Sequence, residues 1–287
     1  MDKLEQFLTR AESLLERIEG ILPPAQTIVD WNGSNAFRWR NKNGHSFLQK
    51  VQCVSPIKLS DLYNVDRQKK LIEQNTRQFI QKKPANNVLL TGSRGTGKSS
   101  LIKACLNTYA KDGLRLIEVN KYDLQDLPEI IDLIMTRPER FIIFCDDLSF
   151  ENSEPGYKLL KVILDGSITV QSDNMLIYAT SNRRHLLTEY MSDNETYRHK
   201  QDGLIHPGEV VEEKISLSER FGLWISFYPF NQEEYLNIVA YWMRHFSCDN
   251  VDIEVAQSDA LIWALEHGSR SGRVAWQFAR DWIGRKS

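Results

Sequence analysis

Cysteine is scarce in this sequence of 287 residues, and the few cysteines stand far apart. They are Cys53, Cys105, Cys145 and Cys248. None of them forms the C-x-x-C spacing that zinc sites and redox motifs use, and isolated thiols do not indicate a disulfide framework. We therefore expect a reduced protein of the cytoplasm, where disulfide bonds are rare.

Long apolar runs and a strong net charge are missing as well. No stretch approaches the roughly 18–20 apolar residues of a membrane-spanning helix, so we expect no membrane partner. Asp2, Glu5 and Glu12 interrupt the apolar residues at the N-terminus, so we expect no secretory signal there. The net charge of −2 gives no overall preference for nucleic acid, and only a local basic patch would favour it.

A phosphate-binding motif stands out between residues 92 and 99. It matches the pattern G-x-x-x-x-G-K-[ST] and reads Gly92-Ser93-Arg94-Gly95-Thr96-Gly97-Lys98-Ser99. A predicted strand precedes it and a predicted helix follows, which disfavours a glycine-rich turn without a ligand. In such a loop, backbone N–H groups and the start of the helix point at one anion. We expect residues Gly92 to Ser100 to bind a nucleotide, with Lys98 at the β- and γ-phosphates and Ser99 at Mg²⁺.

From residue 87 onward, predicted strands and helices alternate along the chain. The strands are predicted at 87–91, 115–119, 141–145, 175–180 and 223–227. The helices between them are predicted at 98–111, 126–135 and 156–164. The strands are nearly continuous apolar runs, which is typical of strands buried on both faces. We therefore expect an α/β fold with a parallel five-stranded sheet between helices.

The predicted domain boundaries follow from this alternation. An N-terminal helix and β-hairpin occupy 1–56, the α/β core occupies 57–229, and a small all-helical lid occupies 230–287. The helices of the lid are predicted at 231–246, 254–267 and 271–284, and a further helix at 61–83 leads into the core. The polar segment 188–214 is predicted as an exposed insertion. This insertion and Tyr157 are candidate contact surfaces, although plain exposed loops explain both.

Each part of the N-terminal extension allows two interpretations. Apolar residues at helical spacing within 2–20 predict an amphipathic helix, which either packs on the chain itself or binds a partner. The pattern around Asn43-Gly44 predicts a hairpin over 36–51. Its aromatic residues alternate with Arg38 and Arg40, so the hairpin either is half-buried with solvated charges or binds nucleic acid by stacking. The net charge favours the first of these.

Polar residues follow two of the predicted strands. Asp146 and Asp147 follow the strand 141–145, where a Mg²⁺ ion beside the phosphate loop needs a carboxylate. Asn182 follows the strand 175–180, where its amide could orient a water molecule against the γ-phosphate. An amide after a strand is also an ordinary turn residue, so this position alone decides nothing.

Two arginines complete the pattern. Arg220 lies just before the strand 223–227, and Arg273 opens the last predicted helix. Arginine stabilises charge on a transferring phosphoryl group, and a neighbouring subunit can supply it. For each arginine alone, a surface ion pair is the simpler explanation. The order of all these residues along the chain favours a shared phosphate site.

This order resembles that of the AAA+ ATPases over about residues 57–287. Five segments further resemble the bacterial AAA+ family known as domain of unknown function 815. They are residues 36–40, 84–90, 144–151, 179–186 and 271–282. The resemblance covers nearly the whole chain, and it implies a P-loop AAA+ core and an ATPase activity without a cellular role.

The resemblance implies a role for each polar residue. The motif at 92–99 would be Walker A, and Asp146 and Asp147 would be Walker B, with Asp146 at the metal. Asn182 would be the polar residue called sensor 1. Walker B motifs of AAA+ proteins usually end in Asp-Glu, and Asp147 is one methylene shorter than that glutamate. Either Asp147 positions the attacking water, or Glu151 replaces it, or hydrolysis is slow.

By the same resemblance, Arg220 would be an arginine finger and Arg273 the sensor-2 arginine. The residues that would flank the adenine of ATP are Leu62, Tyr63 and Val65. An arginine supplied by a neighbour requires head-to-tail contacts, so we expect a homo-oligomer. The expected function is hydrolysis of ATP with Mg²⁺, coupled to assembly and to remodelling of an unknown protein partner.

Two other functions fit the sequence. A nucleotide-gated binding module would bind ATP with little turnover, which the Asp-Asp ending favours. A helicase-loader-like, DNA-associated ATPase would use the basic and aromatic hairpin at 36–51. A small-molecule kinase is disfavoured, because it would leave Asn182, Arg220 and the helical C-terminal unit unexplained.

Overall fold

A seven-stranded sheet runs through the molecule. The computed structural model describes residues 7, 10–13, 29–42, 44–150, 155–166, 173–182 and 217–286. The strands are β1 (Ala36–Lys42), β2 (His45–Lys50), β3 (Val88–Gly92), β4 (Leu114–Glu118), β5 (Arg140–Cys145), β6 (Met175–Ser181) and β7 (Leu223–Phe227). Their order across the sheet is β2-β1-β4-β5-β6-β3-β7. Neighbouring strands are parallel, except in the antiparallel β1–β2 hairpin.

Helices pack on the sheet and follow it at the C-terminus. They are α1 (Asp66–Ile80), α2 (Lys98–Tyr109), α3 (Leu127–Ile134), α4 (Pro155–Leu164), α5 (Gln232–His245), α6 (Asn250–Glu266) and α7 (Gly272–Lys286). Short 3₁₀ helices lie at Leu59–Asp61, Ala110–Asp112 and Lys121–Asp126. The predicted α/β fold with a mainly parallel sheet is confirmed, and the predicted strands and helices differ from the observed ones by a few residues at their ends.

The sheet is wider than the predicted five strands, because the N-terminal hairpin joins it. Residues 36–38 of β1 pair in parallel with residues 116–118 of β4. Without β1, the outer edge of β4 would expose unpaired N–H and C=O groups. The local pattern around Asn43-Gly44 predicts a hairpin but carries no information about its partner strand. The prediction of five strands was therefore wrong.

The hairpin places aromatic residues in the core. Phe37 and Trp39 are buried, and Nε1 of Trp39 donates a hydrogen bond to Oδ2 of Asp126 over 2.8 Å. Arg38 forms an ion pair of 2.8 Å with Glu118. Buried rings cannot stack on nucleic-acid bases. The structure thus favours the half-buried hairpin over the stacking surface.

Two apolar clusters, one on each face of the sheet, hold the helices in place. Alternation along β6 sends Tyr178 to one face and Ile177 and Ala179 to the other. The cluster around Tyr178 includes Ile102 of α2 and Tyr235 of α5. The other cluster contains residues of α3, α4 and β1. The C-terminal helices therefore pack into the same core as the helix that follows the phosphate loop.

Parts of the predicted surface lie outside the described residues. Apart from a few helical residues, the predicted helix 2–20 is among them, as is the insertion 188–214. Tyr157 does not form a contact surface, because it is buried with its ring against Phe150. Among the described residues, no helix is both long and apolar enough to cross a membrane.

A buried hydroxyl on β6 gives a test of this packing. The hydroxyl of Tyr178 lies 3.0 Å from Nδ2 of Asn75 and 2.9 Å from Oγ1 of Thr76, both on α1. Tyr178→Phe leaves these buried groups short of a partner, so we expect the free energy of unfolding to fall by about 1–2 kcal/mol in urea denaturation. Tyr228→Phe also removes a phenolic hydroxyl, but from a tyrosine that is 74% exposed. This control should change stability by less than about 0.5 kcal/mol, and equal losses in both variants would contradict the packing.

Candidate active site

The loop between β3 and α2 requires glycine at two positions. Gly92, with φ of +127°, lies so close to β7 that a Cβ atom there would be 1.9 Å from the carbonyl oxygen of Phe227. Gly97, with φ of +97°, ends the loop in the left-handed region just before α2. Glycine accepts both conformations without strain. The loop is therefore compact, and α2 begins directly at its end.

Lys98 is the first residue of α2, and its side chain is held against the loop. Its ammonium group donates to the carbonyl oxygens of Gly92 and Ser93, each over 2.7 Å. It also donates to Oδ1 of Asn182 over 3.0 Å. These three acceptors satisfy all three N–H donors of the lysine. Lys98 and Asn182, which the sequence predicted for one site, are therefore in direct contact.

Burial and the neighbouring charges of the site together shift the pKa of Lys98. Lys98 is only 6% exposed, and burial lowers its pKa from the ordinary 10.5 to about 8. The carboxylates of Asp146 and Asp147 favour the charged ammonium and oppose this shift, whereas Arg94 and Arg273 add to it. The burial of the ammonium outweighs the attraction of the two carboxylates.

Asp146 follows β5 and accepts two short hydrogen bonds at one oxygen. Oγ of Ser99 and Oγ1 of Thr180 each donate to Oδ1 of Asp146 over 2.6 Å. Because the hydroxyl proton of Ser99 points at Asp146, the lone pairs of its oxygen are left for a cation. Hydroxyl and carboxylate oxygens are the hard ligands that Mg²⁺ prefers. The two residues predicted for the metal therefore lie together, and their chemistry fits Mg²⁺.

Asp147, the next residue, is held by two other side chains. Nδ2 of Asn182 donates to Oδ1 of Asp147 over 2.5 Å, and the guanidinium of Arg94 lies 3.9 Å from Oδ2. The backbone of Asp147 has a φ of +52°, a left-handed conformation that aspartate tolerates. Asn182 thus contacts both Lys98 and Asp147. Glu151, the alternative residue for positioning water, lies outside the described residues.

A cavity of about 1030 Å³ adjoins these side chains and is also lined by residues of α5 and α7. Its lining includes the loop residues from Arg94 to Ser100 and the three residues predicted to flank an adenine. Of these three, Leu62 and Val65 are buried, whereas Tyr63 is 41% exposed. Binding cavities for small molecules have volumes of roughly 300–1,000 Å³, so the space is sufficient for a nucleotide.

The C-terminal helices add an apolar and aromatic wall that the sequence analysis missed. This wall consists of Ile238 and Trp242 of α5, Trp276 of α7 and Phe230 in the segment just before α5. Only the packing of the lid helices against the core brings these residues to the cavity, so no local spacing marks them. One signal was available, because Trp276 follows Arg273 by three residues on a helix and therefore shares its face.

The start of α7 touches the phosphate loop directly. The backbone N–H of Gly272 donates to the carbonyl oxygen of Gly95 over 2.9 Å. A Cβ atom on Gly95 would lie 2.7 Å from Oγ of Ser271, so the two segments are in close contact. This contact places Arg273 in the wall of the cavity, beside the loop.

Arg220 is the predicted site residue that the structure keeps away from the others. It lines a second cavity, of about 650 Å³, together with Asn86, Asn87 and Arg140. These neighbours precede or begin strands, so this cavity lies at the amino edge of the sheet. The phosphate loop lies at the carboxyl edge, about 16 Å away along the five residues of β7. The guanidinium of Arg220 forms an ion pair with Asp165 of the same chain.

Comparisons with known proteins agree with this fold. The model of a family described as protein of unknown function (DUF815) matches residues 32–286. No curated protein matches the chain. The Holliday junction branch migration motor RuvB of Thermotoga maritima is 17% identical with a TM-score of 0.51, over 79% of this chain and 64% of RuvB. The FIGL-1 AAA domain, solved in complex with ADP, is 17% identical with a TM-score of 0.52, over 88% of this chain and 79% of that domain.

These identities are low, so the two solved structures are evidence for the fold alone. This chain also spans only 64% of the RuvB chain, which leaves the remaining part of RuvB without a counterpart here. The shared architecture is a mainly parallel sheet with helices packed on it.

The lowered pKa of Lys98 has a consequence for stability that can be measured. Because the folded pKa is about 8 and the ordinary value is 10.5, the unfolded chain binds more protons between these pH values. Stability therefore rises with pH across this window. We expect the free energy of unfolding of the wild type, relative to Lys98→Met, to increase above pH 8 by up to about 1.4 kcal/mol per pH unit.

Urea denaturation of both proteins from pH 7 to pH 10, without nucleotide or metal, measures this difference. The comparison with Lys98→Met removes the contributions of all other titrating groups that the two proteins share. A difference that stays constant above pH 8, or that decreases, would show that the ammonium is not buried as described.

Proposed function

Because the chain belongs to the family described as protein of unknown function (DUF815) and has the fold of AAA+ ATPases, we propose that it binds ATP with Mg²⁺ and hydrolyses it. The observation that carries the proposal is the contact of Asn182 with both Lys98 and Asp147 beside a cavity large enough for a nucleotide. The AAA domain of FIGL-1 was solved with ADP, and this supports a nucleotide in the same fold.

Phosphate binding would use the loop and Lys98. The ammonium now donates to the neutral carbonyl groups of Gly92 and Ser93. Phosphate oxygens carry charge, and charge-assisted hydrogen bonds are roughly twice as strong as neutral ones. An anion beside Lys98 would also favour its protonated form. Arg273 would contact the γ-phosphate from the lid and so make the position of α7 depend on the nucleotide.

The metal would be held by Ser99 and Asp146. When bound, Mg²⁺ would neutralise negative charge that develops on the phosphate oxygens. The hydroxyl of Ser99 donates a hydrogen bond to Asp146 over 2.6 Å, which leaves the lone pairs of the Ser99 oxygen for the cation. Phosphate oxygens and water would supply the remaining ligands, as is usual for Mg²⁺ in proteins.

The adenine of ATP would lie between the segment that precedes α1 and the helices of the lid. Leu62 and Val65 offer apolar surface on one side, and Trp242 and Ile238 offer it on the other. The half-exposed ring of Tyr63 lies at the border of the same space. Apolar walls with a few polar groups are typical of nucleotide and cofactor cavities.

The attacking water would be positioned by Asp147 and Asn182. Asn182 donates to Oδ1 of Asp147, so this oxygen has one lone pair fewer with which to accept a proton from the water. If Lys98 moves to the phosphates, the amide of Asn182 loses its other partner and becomes free to turn. Nucleotide binding would thereby prepare Asp147 for proton transfer.

The test of this function is a pair of lysine variants. Lys98→Ala removes the ammonium, so we expect ATP affinity to fall about tenfold to a hundredfold, the usual worth of hydrogen bonds to charged groups. Phosphate release should fall to background. Lys111→Ala, on an exposed 3₁₀ helix after α2, is the matched control and should behave as the wild type. Affinity is measured by equilibrium titration with a fluorescent ATP analogue, and turnover by phosphate release.

The same two measurements separate the ATPase from a nucleotide-gated binding module. The contacts of Asn182 and Arg94 with Asp147 favour slow hydrolysis for as long as they persist. If the wild type binds ATP but releases no phosphate, the protein is a nucleotide-gated binding module and not an ATPase. Binding that survives Lys98→Ala unchanged would contradict both functions.

We further propose that Arg220 acts on the nucleotide of a neighbouring copy in a homo-oligomer. Its place at the amino edge of the sheet, beyond reach of the phosphate loop of its own chain, supports an action in trans. The ion pair with Asp165 would have to open, or turn, for the guanidinium to meet a phosphate. A head-to-tail arrangement of copies repeats this contact around a ring or an open arc.

Mixing of two inactive variants tests this assignment. Arg220→Ala should lose about 10³-fold in turnover, which is typical for a removed arginine finger, while its own ATP binding is retained. When Arg220→Ala is mixed with Lys98→Ala, the Arg220 of the second variant can reach the intact phosphate loop of the first. Turnover should therefore recover at the interfaces that join the two variants. Arg285→Ala breaks an exposed ion pair with Asp281 and serves as the control. Full activity of Arg220→Ala, with turnover per chain independent of concentration, would refute the assignment.

The process that this ATPase would drive is remodelling of an unknown protein partner, in the cytoplasm. RuvB is named as a branch migration motor, but a role on DNA gains no support from the hairpin of this chain. Phe37 and Trp39 are buried there, and Arg38 is paired with Glu118. A protein partner is therefore the better proposal.

A further inference from the structure

We propose that Thr180 is a positioning residue for the metal, a role that rests on the proposed binding of Mg²⁺ with ATP. Thr180 lies near the end of β6, where it pairs with Leu90 of β3. Thr180 is among the residues that line the cavity, but only 1% of its surface is exposed, which leaves almost no area for contact with a ligand. Any influence of Thr180 on the metal therefore acts through its neighbours.

Three hydrogen bonds tie Thr180 to the turn that follows β5. Its Oγ1 donates to Oδ1 of Asp146 over 2.6 Å. The same Oγ1 accepts the backbone N–H of Asp147 over 2.9 Å. Its carbonyl oxygen accepts the N–H of Leu148 over 2.7 Å. The single hydroxyl proton and one lone pair of Thr180 thus connect the two aspartates of the site.

The first consequence concerns Asp146. Its Oδ1 receives hydrogen bonds from both Ser99 and Thr180, and two donors fix the plane of a carboxylate better than one. If the Thr180 hydroxyl is removed, the carboxylate can rotate, and the oxygen of Ser99 loses its fixed orientation. Removal of a residue that orients a metal ligand typically costs 10–100-fold in metal affinity.

The second consequence concerns Asp147. Its backbone has a positive φ, and the bond from its N–H to Thr180 holds that turn in place. Without this acceptor, the turn at Asp147 can relax, and the carboxylate moves with it. Thr180 therefore couples the metal ligand to the residue that would position water.

The test compares three variants of buried threonines. Thr180→Val keeps the branched shape and removes the hydroxyl, whereas Thr180→Ser keeps the hydroxyl. Thr91→Val is the matched control, because Thr91 is also buried on a central strand, 2% exposed, and its hydroxyl accepts from Nε1 of Trp224. Circular dichroism establishes that each full-length variant is folded.

Two binding constants are measured for each protein. One is the affinity for Mn²⁺, a spectroscopic substitute for Mg²⁺, by electron paramagnetic resonance with a saturating non-hydrolysable ATP analogue. The other is the affinity for the same analogue in excess chelator. We expect Thr180→Val to weaken metal binding by at least about tenfold and to leave metal-free binding of the analogue unchanged. Thr180→Ser and Thr91→Val should match the wild type in both.

The outcomes separate this inference from the proposed function. If the wild type binds the analogue and the metal but Thr180→Val binds the metal equally well, the positioning role is refuted and the proposed function stands. An equal loss in Thr91→Val, or a loss in Thr180→Ser, also refutes it, because the effect is then one of packing. If the wild type binds no nucleotide, the proposed function fails, and the inference fails with it.

Discussion

The parallel pairing of β6 with β3 on one side and with β5 on the other is the constraint on which the site depends. It brings the carboxyl ends of three strands to one edge, where the loop, the two aspartates and Asn182 meet. Thr180 pairs with Leu90, and Ala179 pairs with Cys145. A slip of one residue would turn the side chains to the opposite face. The register of the apolar strands therefore determines where the polar side chains of the site lie.

Charged groups of the site already have partners inside the chain, so a nucleotide would replace some existing contacts. Lys98 already has three acceptors, and Arg94 already lies near Asp147. The affinity for a phosphate is then the difference between its contacts and these internal ones. In the proposed function Asn182 would couple that exchange to Asp147, because it is a hydrogen-bond partner of both Lys98 and Asp147.

Those parts of the fold and site that rest on local pattern could be predicted from the sequence. Strand ends are marked by a change from apolar to polar residues, which is why Asp146 and Asn182 could be placed. The pairing of β1 with β4 could not be predicted, because the local pattern of a hairpin carries no information about the strand with which it pairs. Trp242 and Trp276 reach the cavity only through tertiary packing. Thr180 was overlooked because a threonine in an apolar strand is also an ordinary strand former.

Because the side chain of Asp147 is short, the distance between its carboxylate and a γ-phosphate depends on the position of the backbone. A glutamate could bring its carboxylate closer to the γ-phosphate by one methylene, and an aspartate can make up that distance only if its Cα atom lies nearer. Here the Cα position is set by a left-handed turn whose N–H is bound by Thr180. Since a displacement of about 1 Å can change a rate roughly a hundredfold, this turn would influence the turnover of the proposed ATPase as much as the identity of the acid. The second aspartate of the motif is therefore best understood together with the strand that holds it.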